Sequence, residues 1–251
     1  MSRYICVDIG GTSIKHGVLD ENAIIEESNQ TKTEAWLGGA EVLDKVKAIG
    51  KQYMEQYENI EGICISTAGM VDPEEGKIVF AGELMPDYTG TCIKKELEKT
   101  LGIPCEVEND VNCAGLAEYI SGAAKESHIM FCATVGTGIG GCAIVDGSVF
   151  HGASNSACEI GYIPMEDSDF QTLGASSILI KKVAGKKREP LDMWDGKKIF
   201  ELAEKGDEVC ISAIKEMCDV LGKGLATICY VLNPDTIVLG GGVMAQKKIL
   251  E

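Results

Sequence analysis

Blocks of apolar and polar positions along the chain predict an α/β protein with mixed sheets. Residues 4–8 are mostly apolar, read as a buried strand, and stop at Gly10-Gly11. A second strand leaves that turn and ends near Leu19-Asp20. Across residues 38–57, Val42, Val46, Ile49 and Tyr53 recur at helical spacing, which predicts an amphipathic helix. Residues 62–66 read as a short strand and residues 91–101 as a lysine- and glutamate-rich helix. Residues 105–108 read as a strand running into Asn109-Asp110, followed by a helix to about Ile120. Residues 128–135 and 141–145 predict a hairpin. Residues 207–232 predict a long helix, and residues 236–239 a strand ending in Gly240-Gly241-Gly242. Residues 166–169 and 186–195 read as polar loops. Strands alternating with helices, with hairpins between, imply a sheet carrying antiparallel pairs rather than a purely parallel one.

The pattern also repeats. Val7-Asp8-Ile9-Gly10-Gly11-Thr12 leads to an apolar segment ending at Asp20. Ala133-Thr134-Val135-Gly136-Thr137-Gly138 leads to another ending at Asp146. Apolar strand, glycine turn, apolar strand and aspartate occur twice, so two halves of similar build are expected, each giving one glycine turn to a shared cleft. A tight turn between strands can aim several N–H groups at phosphate oxygens. Asp8, at the end of its strand, offers a hard oxygen ligand for Mg²⁺, directly or through water. Thr12 offers a hydroxyl and Lys15 a positive charge.

Other phosphate motifs fail on context. Gly136, Gly138 and Gly141 fit G-x-G-x-x-G, but a strand rather than a helix follows and Asp146 comes too early for a dinucleotide fold. No Gly-Lys is followed by Ser or Thr, so a Walker A loop is absent. The net charge of −16 disfavours binding to nucleic acid or an anionic membrane. Lys186-Lys187-Arg188 is a short basic spot, read as a solvated loop. The longest apolar runs are too short to span a bilayer, and the first residues carry no secretory signature. Eleven cysteines include no Cys-x-x-Cys pair, and Cys6, Cys64, Cys132 and Cys142 lie in apolar runs. They read as buried reduced thiols, which points to a cytoplasmic protein. His16, His128 and His151 share no metal-ligand spacing and read as solvated or hydrogen-bonded.

Five segments together resemble the ROK family of repressors, open reading frames and kinases. Asp8 to Lys15 resembles its first phosphate motif, Glu108 to Ala114 its catalytic segment, and Gly136 to Gly141 its second phosphate motif. Ala157-Cys158-Glu159-Ile160-Gly161 resembles its sugar-binding segment. Leu232-Asn233-Pro234-Asp235 through Gly240-Gly241-Gly242 resembles its adenosine motif.

The resemblance implies an actin-like, ribonuclease H-like fold with two lobes around a central cleft. Residues 1–109 would form the first lobe and residues 110–251 the second. The implied activity is ATP-dependent phosphorylation of a sugar hydroxyl on a hexose or derivative such as glucose, N-acetylmannosamine or a β-glucoside. Asp110 matches the general base; Asn109, Asp110 and Glu159 match sugar-binding residues. Asp8, Gly10, Gly11, Thr12, Lys15, Thr134, Gly136, Thr137, Gly138, Gly240, Gly241 and Gly242 match the nucleotide and phosphate set, with Asp8 toward Mg²⁺. Glu118 could support the site or stand free on its helix, and Asn109-Asp110 could equally cap one. A homodimer is implied.

The chain departs from the family at three points. The histidine of the usual zinc site is replaced by Tyr162, and residues 165–170 hold no cysteine, so no structural zinc is expected. Ile160, Tyr162, Ile163 and Pro164 would then hold the Glu159 loop by packing. Glu83 and Tyr88 stand near where many relatives place a sugar-contacting asparagine and a tryptophan. Family members also continue beyond the position of Glu251 with a helix that returns to the first lobe. A truncated or incomplete chain is therefore expected, with an exposed apolar face and poor activity. The alternative to a kinase is a non-catalytic sugar sensor on the same fold. The repressor branch places a helix-turn-helix before the first phosphate motif, and seven residues precede Asp8 here, so DNA binding is not expected. An actin-like ATPase serving another enzyme would instead turn over ATP without sugar.

Overall fold

A computed structural model describes residues 1–246, which divide into two compact units, Met1–Cys113 and the residues from Ala114 onward; residues 247–251, the end of the expected second lobe, lie outside the described part.

The first unit begins with strands β1 (Arg3–Ile9), β2 (Ser13–Asp20) and β3 (Ile25–Lys32), then helix α1 (Gly39–Gln56) and strand β4 (Ile60–Thr67). A small hairpin, β5 (Met70–Asp72) and β6 (Lys77–Phe80), precedes helix α2 (Ile93–Leu101) and strand β7 (Cys105–Asn109). Helix α3 (Asp110–Ser121) starts directly at the end of β7, and the division between the units falls inside it. The sheet order is β3-β2-β1-β4-β7, with β1–β2 and β2–β3 antiparallel and β1–β4 and β4–β7 parallel. Alternate residues Ile5, Val7 and Ile9 of β1 are buried, as the two-residue period of a strand requires. With Ile63, Ile65 and Val107 they share a core with Val42, Val46, Ile49 and Tyr53, the apolar stripe of α1. His16 is buried in this unit, its Nδ1 2.8 Å from the Tyr53 hydroxyl and its Nε2 3.1 Å from that of Thr31.

The second unit opens with the hairpin β8 (Ile129–Val135) and β9 (Ile139–Val145), then β10 (Ser148–Val149). A two-residue pair, β11 (Pro164–Met165) and β12 (Ser168–Asp169), leads into helices α4 (Phe170–Gly174), α5 (Ser176–Lys187), α6 (Gly196–Glu204) and α7 (Glu208–Leu232), and strand β13 (Thr236–Gly240) ends the series. The sheet order is β10-β9-β8-β13, with β8 and β13 parallel. Phe131, Phe170, Leu179, Val183, Ile199, Met217 and Leu221 belong to its core.

The two sheets are built alike. In each, a glycine hairpin has a third antiparallel strand on one side and a later parallel strand on the other. This is the repeat seen in the sequence, now expressed as topology.

Several elements differ from expectation. β3, β5–β6, α5 and α6 were not anticipated. Lys186 and Lys187 lie in the last turn of α5 rather than in a loop, paired with Glu216 and Asp207, and the chain leaves the helix at Arg188 in the left-handed conformation. Residues 166–169 include a tight turn of β11–β12 with Glu166 at φ 53°. Cys132 and Cys142 are buried, but Cys6 is only half-buried and Cys64 is exposed, because both face away from the α1 side of their sheet.

Candidate functional site

In the first unit, strand polarity collects the chemistry at one edge of the sheet. β1, β4 and β7 run parallel, so Ile9, Thr67 and Asn109 end together, and the turn from β1 to β2 lies at the same edge. Asp8 pairs in register with Ser66, whose hydroxyl donates to Asp8 Oδ1 at 2.9 Å. Lys15 Nζ stands 3.5 Å from Asp8 Oδ2. The turn Gly10-Gly11-Thr12 is tied back by Gly10 N–H donating to Ser13 O at 3.1 Å. A Cβ on Gly11 would meet nothing within 4 Å, so glycine there leaves open space rather than relieving a clash.

Asp110 is the first residue of α3. Asn109 caps that helix: its Oδ1 accepts from Val111 N–H at 2.8 Å and Asn112 N–H at 3.1 Å. Its Nδ2 donates to Gly69 O at 2.9 Å and to Asp110 Oδ1 at 3.0 Å. The four hydrogen bonds an amide side chain ordinarily forms are therefore made inside the protein. Glu108 adds a second tie, its Oε1 accepting from Asn109 N–H at 2.7 Å and Asn112 Nδ2 at 2.9 Å. The Asp110 carboxyl is pushed above its ordinary pKa, chiefly by desolvation, with the negative charge of Asp8 adding to the rise. The Val111 N–H and Asn109 amide oppose the shift. Asp110 remains open to water at its surface.

Glu118 is not part of this arrangement. Its Oε2 accepts from Ala123 N–H at 3.0 Å, closing the far end of α3. Tyr88 is 1% exposed and holds its hydroxyl 2.7 Å from Thr67 Oγ1, so it is a core residue rather than a lining one; Glu83 is exposed.

In the second unit, Gly136-Thr137-Gly138 joins β8 to β9. Two serines at the start of α5 reach this turn. Ser176 donates to Gly136 O from N–H at 3.0 Å and from Oγ at 2.5 Å; Ser177 Oγ donates to Thr137 O at 2.6 Å. A Cβ on Gly136 would meet nothing within 4 Å, and one on Gly138 would come 2.9 Å from Gln171 Oε1. Thr134 pairs with Gly240 across β8 and β13, which sets the glycine cluster beside the turn. Gly241 has φ 101°, and a Cβ there would run into the Val135 backbone, so only glycine fits. Beside the cluster is a cavity of about 280 Å³ lined by Ser176, Ile180, Gly196, Phe200, Gly242 and Val243 among others. Sequence reading found Gly242 but missed the α5 and α6 walls. Asp195, which caps α6 by accepting from Lys198 N–H at 2.7 Å, was the one visible signal of that helix.

Glu159 lies half-buried before a short 3-10 turn, Ile160–Tyr162. Ile160 is buried and Ile163 packs against the core, but Tyr162 is 56% exposed and Pro164 is exposed as well. The tyrosine ring and Pro164 therefore do not pack this loop, which Ile160 and Ile163 hold against the core. Among the described residues no group of three or more His, Cys, Asp or Glu side chains is placed to hold a metal ion, and no helix is long and apolar enough to cross a membrane.

Comparison with known proteins identifies the family. The chain matches the ROK family over residues 4–251. It is 31% identical to a beta-glucoside kinase of Klebsiella pneumoniae over 257 residues, covering 99% of this chain and 84% of that one. Its structure is similar to a ROK family protein from Streptococcus pneumoniae in complex with sucrose, with a TM-score of 0.87, 29% identity and coverage of 99% and 83%. It is also similar to a ROK family glucokinase from Streptomyces griseus in complex with glucose and AMPPNP, with a TM-score of 0.81, 28% identity and coverage of 97% and 84%. The solved neighbours carry the actin-like ATPase fold, and the duplicated hairpin sheets agree with it. This chain belongs to the ROK family.

Proposed function

We propose that the protein is an ATP-dependent sugar kinase in which Asp110 is the general base. The observation that carries this reading is the placement of Asp110: a carboxylate at a strand-to-helix junction, steered by Asn109, near Asp8, with a raised pKa. A sugar hydroxyl is a poor nucleophile at neutral pH. A positioned carboxylate takes its proton as the bond to the terminal phosphorus forms and the bond to ADP breaks, an effect of about 10²–10⁴-fold. A raised pKa makes Asp110 a better proton acceptor.

Asn109 serves mainly to hold Asp110, since its amide is already engaged, and a sugar contact from it would exchange one of those bonds. Glu159 and Asp110 bind sugar hydroxyls. Gly11 and Thr12 in one unit, and Thr137 and Gly138 in the other, present N–H groups to phosphate oxygens, with Lys15 and Thr134 supporting them, while the Gly10 and Gly136 N–H groups close the turns on Ser13 O and Gly138 O. The 280 Å³ cavity lined by Gly242 takes the nucleoside, with Gly240 and Gly241 packing closely on β8 beside it.

Mg²⁺ is expected to arrive with ATP. It needs only one or two protein carboxylates besides the phosphates, and Asp8, with side-chain exposure of 40%, fits that requirement. When bound it would offset phosphate charge. The acceptor is a hexose or derivative such as glucose, N-acetylmannosamine or a β-glucoside. The cysteines are free and suit a reducing compartment, so we place the reaction in the cytoplasm.

ADP release measured over a panel of these sugars tests the reading. Sugar-dependent release is expected. ATP turnover independent of every sugar would favour an ATPase, and sugar binding without turnover would favour a sensor.

A further inference from the structure

The two glycine turns are each held from behind by a hydroxyl that comes from outside its hairpin. In the first unit, Thr33 follows β3. Its Oγ1 donates to Gly10 O at 2.6 Å, and its N–H donates to Thr12 O at 3.1 Å. Thr33 is 0% exposed, so this contact is a built part of the interior. In the second unit, Ser176 Oγ donates to Gly136 O at 2.5 Å and Ser177 Oγ to Thr137 O at 2.6 Å. Gly10 and Gly136 are the first glycines of the two repeats, so the same carbonyl is held in both halves.

The consequence follows from peptide geometry. No peptide bond among the described residues is cis. In a planar trans peptide the C=O and the following N–H point in opposite directions. Fixing the Gly10 carbonyl inward turns the Gly11 N–H outward, and fixing the Gly136 and Thr137 carbonyls turns the Thr137 and Gly138 N–H groups outward. None of these N–H groups donates a backbone hydrogen bond among the described residues. Each turn is thereby left with outward donors fixed before any ligand arrives. Preorganised donors stabilise phosphate charge best because they need not reorient during reaction.

We propose that Thr33 and Ser176, with Ser177, are positioning residues that preset the two turns for the phosphates of ATP. They touch no substrate and act through the Gly10, Gly136 and Thr137 carbonyls. The proposal rests on the kinase reading above and adds residues outside every motif that led to it.

The test uses the full chain and two readouts: AMPPNP affinity by calorimetry and steady-state turnover with ATP. Thr33→Val and Ser176→Ala keep shape while removing the hydroxyl. Each is expected to weaken kcat/KM for ATP about tenfold or more while leaving the KM for sugar within about twofold, since donor loss at such sites is costly. Ser176→Ala with Ser177→Ala should lose more than either alone. Thr33→Ser and Ser176→Thr restore the donor and should recover most of the loss. A general folding defect would lower sugar affinity and melting temperature as well and would not follow hydroxyl chemistry, so that pattern overturns the proposal. Wild-type nucleotide kinetics in Thr33→Val and Ser176→Ala also overturn it, while leaving the kinase reading intact. A wild-type chain that neither binds AMPPNP nor turns over ATP overturns both.

Discussion

At the scale of single residues, Asp110 carries the most specific expectations. Asp110→Asn should lower turnover about 10²–10⁴-fold and change sugar affinity little, because amide and carboxylate are nearly isosteric. Its raised pKa sets the pH dependence. Only the ionised form accepts a proton, so kcat/KM should fall on acidification, with the limb above the ordinary carboxylate range. The stability effect has the opposite sense. A group whose folded pKa is raised adds stability below its unfolded pKa and loses it as pH rises through the folded pKa. The raised pKa of Asp110 therefore costs stability above the ordinary carboxylate range, and Asp110→Asn should melt at a higher temperature than wild type at pH 7 despite its lowered turnover. A lower melting temperature at pH 7 would contradict the assigned desolvation.

Cys64 gives a second residue-scale test. It is exposed, and a hydrogen bond from Cys6 pulls its pKa down while raising that of Cys6. Iodoacetamide at neutral pH should therefore modify Cys64 ahead of Cys229, the other exposed thiol. Peptide mapping after brief labelling reads the order. Sequence reading placed Cys64 inside because it weighed the apolar run and not the side of the strand on which it falls. Asp110 and the glycine turns were visible because their chemistry is local to a few residues. Thr33 and Ser176 were not, because the carbonyls they hold are 23 and 40 positions away.

At the scale of elements, legibility followed periodicity. α1 shows a clear apolar stripe, and all four of its marker residues are buried. β3 shows none: its sequence IEESNQTK has no buried position, and it stays in place through backbone pairing with β2. α5 lacks a capping side chain at Ala175, which hid its start. Packing supplies a prediction here. Gly224 lets α7 approach α4, and a Cβ there would run into the buried ring of Phe170. Gly224→Ala should cost about 1–3 kcal/mol in denaturant unfolding, the usual effect of overpacking. Gly136→Ala separates fold from function. Protein atoms leave its Cβ free, so melting should be unchanged, while on the proposed reading the KM for ATP rises because the new methyl enters the space proposed for phosphate. An unchanged KM would mean that this turn does not approach the nucleotide.

At the scale of the whole molecule, the repeated hairpin sheet explains why a short sequence match carried so far. Each half must end a strand, turn tightly and pair again, so glycine and aspartate recur at matching places even where other positions diverge. The sugar is less legible, because the proposed sugar contacts Asp110 and Glu159 lie outside the repeated hairpins, whose pattern does not constrain them. The fold also explains the division of labour proposed here: one unit holds the base and one phosphate turn, the other a second turn and the nucleoside cavity. The most direct test of this account is the stoichiometry of sugar phosphate and ADP formed by wild type and by Asp110→Asn at saturating ATP, Mg²⁺ and sugar. The account predicts one sugar phosphate per ADP for wild type, and a rate at least 10²-fold lower for the variant with sugar binding retained. No sugar phosphate from wild type, or near wild-type turnover by Asp110→Asn, would contradict it.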